Sequence, residues 1–224
     1  MKSIYKLFLV FLFSLKIMSV SANDDYYLNL KKEAASGSAV AQYKLGAMYM
    51  IISGDYKKAF YWTNKSAIQG NAEAQHNLGL FYFYGKGVEK NIKKAGYWWE
   101  KAAKSGHAVA QNDLALLYKN GQFKKRDCQK VMALLHSSAE QQFDLAYLNI
   151  GNFYSTGECV GKDMREAVKW WEKASLKNNG QAEFNLAGAY MRGEGVMKDL
   201  VVADVYLKKA CSHEYEEACK LVRK

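Results

Sequence analysis

There is no proline among the 224 residues, so the commonest interruption of a helix is missing. Cysteine and histidine are scarce, with four of each. No CxxC occurs, which leaves the thiols without a redox motif. The histidines, His76, His107, His136 and His213, form no ligand spacing with one another, with cysteine or with acids, and each is expected to be a surface or hydrogen-bonded side chain. Past the first 22 residues no apolar run is long enough to cross a bilayer. No strand pattern precedes a glycine-rich loop, which removes the nucleotide-binding reading of the GKG and GEG triplets. No metal and no cofactor is therefore expected.

What is present is a tract that recurs: AVAQYKLG at 39 to 46, AEAQHNLG at 72 to 79, AVAQNDLA at 108 to 115, LAYLNIG at 145 to 151, AEFNLAG at 182 to 188 and ACKLV at 218 to 222. Anchored on Ala41, Ala74, Ala110, Ala146, Ala182 and Ala218, the spacings are 33 residues and then 36 four times. Such a period means stacked supersecondary units, each too small to bury its own apolar face. Four residues after each anchor stands an aliphatic (Leu45, Leu78, Leu114, Ile150, Leu186, Val222), and eight after five of them a tyrosine (Tyr49, Tyr82, Tyr118, Tyr154, Tyr190). These positions draw one stripe on a helix, helix A of the unit. A glycine-bearing turn follows, as in YGKGVEKN and RGEGVMKD, and then helix B, as in KKAGYWWEKAAKSG, with a bulky residue at one shared position (Trp62, Trp98, Leu134, Trp170, Tyr206). Small residues such as Gly46 and Gly79 let the helices approach while the aromatics fill the groove opposite.

With its AxAQxxLG, GxGVxxN and KAxxWxxKAA motifs in phase, the chain resembles the Sel-one-like repeat family, cousins of the tetratricopeptide repeats. The resemblance implies an all-α, right-handed superhelical solenoid of stacked αα-hairpins: about five full 36-residue repeats plus partial terminal helices, one domain over 23–224. Two units depart from the pattern. The first is three residues short between Tyr49 and Ala59, so its turn is expected to be tighter, and the third reads NGQFKKRDCQ without the second turn glycine, so its loop is expected to take another path.

Residues 1–22 read as a cleaved signal peptide: a basic start, the apolar run LFLVFLFSL, and small residues up to a cut after Ala22. An uncleaved anchor is the alternative, since Lys16 interrupts the apolar stretch. The expected location is periplasmic or secreted, and an oxidising destination makes cysteine pairing the default. Cys211 and Cys219 flank one short turn, at the spacing bridged in the cysteine-rich branch of the family, and stacking places Cys128 and Cys159 on one edge as a second pair. The alternative is a thiol pair in redox work.

That same branch is linked to penicillin binding and β-lactam hydrolysis, but the SxxK such a nucleophile needs occurs only as Ser3 with Lys6, inside the leader. Whether the chain is an enzyme stays open, with this absence counting against it, and no catalytic residue is assigned. The formal net charge is +10, of which leader residues Lys2, Lys6 and Lys16 supply three, and many of the remaining cations sit in turns and on helix B. Export makes nucleic acid an improbable partner and leaves acidic proteins, lipid headgroups or cell-wall polymers.

In the tetratricopeptide cousins helix A lines the concave wall. Matching their Leu-Gly pair puts positions two, six, nine and ten after each anchor on it. Tyr43, His76, Asn112 and Phe184 occupy the second position, Met50, Phe83, Lys119 and Met191 the ninth, and Tyr84 and Arg192 the tenth. Aromatics and methionine beside polar groups suit a groove for a protein partner. The expected function is an exported, monomeric scaffold for protein–protein interaction, in one form an immunity or adaptor protein. The alternatives are an enzyme on β-lactams or cell-wall fragments and a secreted host-interaction factor.

Overall fold

A computed structural model describes residues 20–222, with side chains from Asp25 onward; most of the expected leader lies outside this range. Among the described residues there are twelve α-helices and no strand. Helix α1 (Val20–Ala35) precedes five hairpins. They are α2 (Ala39–Met48) with α3 (Tyr56–Ile68), α4 (Ala72–Tyr84) with α5 (Ile92–Lys104), α6 (Ala108–Lys119) with α7 (Cys128–Glu140), α8 (Asp144–Thr156) with α9 (Met164–Ser175), and α10 (Gly180–Arg192) with α11 (Leu200–Ser212). Helix α12 (Glu216–Val222) closes the stack.

Nine of the ten hairpin helices start where a polar side chain caps them, the exception being α8, preceded by Phe143. Ser38, Asn71, His107 and Asn179 accept from the backbone N–H of the anchors Ala41, Ala74, Ala110 and Ala182. Asp55, Asn91, Asp127, Asp163 and Asp199 do the same for the five B helices, each satisfying a donor that the helix leaves without a partner. The aliphatic stripe is the core: Leu45, Leu78, Leu114, Ile150 and Leu186 are all essentially inaccessible. The anchor alanines are buried too, and clusters join them to the last-turn alanine of the preceding helix, as in Ala34 of α1 with Ala41 and Ala67 of α3 with Ala74. A methyl group there lets neighbouring hairpins touch at backbone distance.

In the second and fourth hairpins the small-against-large pairing holds, shifted by one residue, whereas Gly46 of the first faces Thr63. Gly79 faces Trp99, and a Cβ on it would lie 2.2 Å from the indole nitrogen; Gly151 likewise faces Trp171, at 2.5 Å. Trp98 and Trp170, at the shared bulky position, are only half-buried. Thus the second tryptophan of each WW pair fills the groove.

The joints between hairpins differ. In the second and fifth units the second turn glycine lies on the first peptide of the previous B helix: a Cβ on Gly87 would come within 2.2 Å of the Tyr56 carbonyl oxygen, and one on Gly195 within 2.3 Å of that of Met164. In the fourth unit the corresponding residue is Cys159, at φ 65°, bonded to Cys128, the first residue of α7, with 4.8 Å between the α-carbons. The third unit does take another path, as its sequence suggests. It drives Phe123 onto Gly96, where a Cβ would meet the ring at 2.3 Å. The short first unit absorbs its deletion in a π-helical turn, Tyr49–Ser53, ended by Gly54 in the left-handed region. The second disulfide, Cys211–Cys219, ties α11 to α12, so both expected pairs form.

Two outcomes follow for the joints. Gly195→Ala should lower the unfolding free energy by about 2 kcal/mol or more, since it adds a clash with backbone to an unfavourable φ. In reduced protein, Cys159→Gly should be more stable than Cys159→Ala by about 1 kcal/mol, measured by urea titration, because glycine adopts this backbone without strain.

Candidate functional site

The residues expected on the inner wall fall into two groups. At the second position after the anchor, His76 and Asn112 are buried, 8% and 2% exposed, and do not line an open wall. Instead the +3 residue of the next unit reaches them: Asp113 Oδ2 lies 2.9 Å from His76 Nε2, and Asn149 Nδ2 donates to Asn112 Oδ1 at 2.8 Å. Tyr43 meets Asn77 in the same register, and burial, with Glu73 nearby, pushes its phenol above the ordinary range. Successive A helices run side by side, so +2 points at the neighbouring helix. Where this position is Leu148, the +3 residue Asn185 donates to Asn152 instead, at 3.1 Å. Phe184 is half-buried against Tyr215, ring centres 5.0 Å apart.

The second group lies at the C-terminal ends of the A helices and is more open. Tyr84 and Met191 are 50% and 44% exposed, and Ile51 and Ile52 beside Met50 are exposed as well. Phe83 lies edge-on to Tyr84, at 5.0 Å, and also meets the Trp99 ring. Lys119 pairs with Glu158 at 3.0 Å, and Arg192 with Glu194 at 2.9 Å. Both cations keep donors to spare for a partner.

Stacking also assembles a cluster that spacing along the chain does not reveal. His76 and His107 lie ring on ring, 4.8 Å apart, between Asp113 and Glu73. His107 Nδ1 accepts from the Ala110 N–H as the cap of α6, which places the proton on Nε2, directed at Glu73 Oε2 2.9 Å away. That hydrogen bond holds the Glu73 carboxyl below its ordinary range against the effect of burial. One histidine stands at +2 and the other at the cap of the next unit, so only the inter-unit register joins them. Among the described residues no group of three or more His, Cys, Asp or Glu side chains is arranged to hold a metal ion.

A similar exchange marks the fifth unit. Gln42, Gln75 and Gln111 donate from +1 to the carbonyls of Ala34, Ala67 and Ala103 at the end of the preceding helix. At the fifth unit's +1 stands Glu183, 1% exposed, which accepts from Ser175 and pairs with His213 at 2.6 Å.

The register of five capped hairpins, 36 residues apart after the first, is now tied to a family. The Sel1 repeat matches residues 39–71, 72–107, 108–143, 144–179 and 180–215, each starting on the first residue of an A helix. The chain belongs to the Sel1 repeat family. Among solved structures, it is similar to a Sel1 repeat protein from Oxalobacter formigenes, at 29% identity and a TM-score of 0.82, covering 91% of this chain and 83% of that one. A protective antigen of uropathogenic Escherichia coli with an SLR fold is 30% identical with a TM-score of 0.81, over 88% of this chain. The chain spans only 43% of that antigen's length. An immunity protein of Pseudomonas aeruginosa shares the fold at 21% identity and a TM-score of 0.57, covering 80% of this chain and 67% of that one. A comparison with curated proteins finds no match.

The Sel1 stack also buries part of a charge network on one flank. Glu100 accepts from Lys124 at 2.9 Å, Lys130 at 3.5 Å and Tyr118 at 3.3 Å. Burial pushes its carboxyl up, and the two lysines more than offset this, so it titrates below the ordinary range. The stabilisation is therefore complete above the unfolded-state titration and is lost as pH falls through the lower folded-state value. Glu100→Gln should cost about 1 kcal/mol near neutral pH, with the difference from wild type vanishing in acid, as read by denaturant midpoints across pH.

Proposed function

We propose that this Sel1 repeat chain is an exported scaffold that binds another protein along the C-terminal ends of its A helices. The observation that carries this reading is the exposure of Tyr84, Met191, Ile51 and Ile52 at positions the stack leaves uncovered, next to Lys119 and Arg192. Half-exposed aromatic and thioether side chains beside cations supply anchors and a polar rim. His76 and Asn112 of the +2 row are left out of the proposed site, because both are buried and hydrogen-bonded between units. Export is supported by the leader pattern of residues 1–22 and by two disulfides, which persist in oxidising compartments.

A host-directed role is a second reading, favoured by the 30% identity to an antigen described as protective. The immunity reading rests on fold likeness to a much more distant protein and stands behind it.

The test is cross-linking in cells followed by mass spectrometry, with Tyr84→Ala, Met191→Ala and Arg192→Ala combined. The triple variant should keep its helicity and lose at least about tenfold in affinity for the captured partner. Unchanged affinity would overturn the assignment of the site.

A further inference from the structure

Two adjacent B helices present the same outward stripe. Lys57, Tyr61, Lys65 and Ile68 follow at steps of four, four and three along α3, and Lys93, Tyr97, Lys101 and Lys104 do so along α5, so each set lies on one side of its helix. Tyr61 and Tyr97 stay 51% and 49% exposed. Lys65 Nζ stands 4.8 Å from the centre of the Tyr61 ring and 5.3 Å from that of Trp62, and Lys101 repeats the arrangement over Tyr97 and Trp98 at 5.2 and 5.8 Å.

Together the two helices hold seven lysines, no arginine and one acid, Glu100, which is turned to Lys124 and Lys130. Among the described residues only Lys58 of the seven takes an ion-pair partner, Asp55. The repeat does not need this composition to pack. The equivalent stripe of α7 reads Gln129, Ala133, Ser137 and Glu140, without a cation.

We propose that α3 and α5 form a docking face for an anionic phospholipid bilayer. Charge complementarity selects an anionic surface, and two features favour lipid over an acidic protein. Lysine is depleted where proteins bury specific contacts, whereas arginine is enriched there, and this face has lysine alone. It also lacks acids of its own that would set register against a folded partner. Tyrosine and tryptophan with ammonium groups over their rings suit the headgroup layer, where the rings take the interface and the cations meet phosphates. Docking through B helices leaves the A-helix ends clear, so this face and the proposed protein-binding site are separate.

The test is sedimentation of the full chain with vesicles of phosphatidylcholine alone or with about 30% phosphatidylglycerol. Three proteins are compared: wild type, the triple reversal Lys57→Glu, Lys93→Glu and Lys101→Glu, and a control reversal with the same change in net charge, Lys162→Glu, Lys198→Glu and Lys220→Glu. The leader contributes equally to all three. The α3–α5 reversal should weaken binding to anionic vesicles at least about tenfold, and the control less than about threefold. Tyr61→Ser with Tyr97→Ser should weaken it about threefold or more at unchanged charge. Equal losses in both reversals, no preference for anionic vesicles, or an unaltered Tyr61→Ser/Tyr97→Ser variant would each overturn the proposal. So would polyglutamate binding as tightly as anionic vesicles with the same dependence on the three lysines.

Discussion

Everything in this molecule depends on hairpins approaching one another closely enough for backbone to meet backbone. An anchor alanine opposite a last-turn alanine sets that distance at one face, and a turn glycine on a helix-first carbonyl sets it at another. Larger side chains at these points would force the units apart and uncover the aliphatic stripe that only a neighbour can bury. The absence of proline belongs to the same logic, since among the described residues every segment except the turns is helical, and each helix from α2 to α11 packs against the helix before it and the helix after it.

The joints show how one geometric demand admits several chemical solutions. Glycine on a peptide group, a phenyl ring seated on a helical glycine and a disulfide at the glycine position all hold a turn against the preceding B helix. Polar rows add direction to this contact. The +1 glutamines bond to carbonyls of the helix behind, and +2 side chains bond across to +3 side chains of the next A helix. Such hydrogen bonds contribute modestly to net stability but fix the register, because slipping it would leave buried amides without partners.

The parts of this architecture that repeat were legible in the letters. The period, the helical stripe and the turns all follow from residues recurring in phase, the two cysteine pairs were suggested by resemblance to the cysteine-rich branch and by stacking, and the chain's two irregular units were visible as a deletion and a missing glycine. What was not legible depended on rotation about a helix axis. One residue of error decides whether Trp98 or Trp99 faces Gly79, and whether His76 looks at a partner or at Asp113. The pairing of His76 with His107 was hidden for the same reason, since it exists only across two units. At the A-helix ends side chains such as Tyr84 and Met191 escape the neighbouring hairpin.

The central claim is that each hairpin is held by its immediate neighbours and not by one global core. Native-state hydrogen exchange, followed helix by helix on Ala146→Val, tests it most directly, because that methyl sits between the third and fourth units. The account predicts lost protection in α7, α8 and α9, with α2 to α4 and α10 to α11 close to wild type. An equal loss of protection in every helix would contradict it.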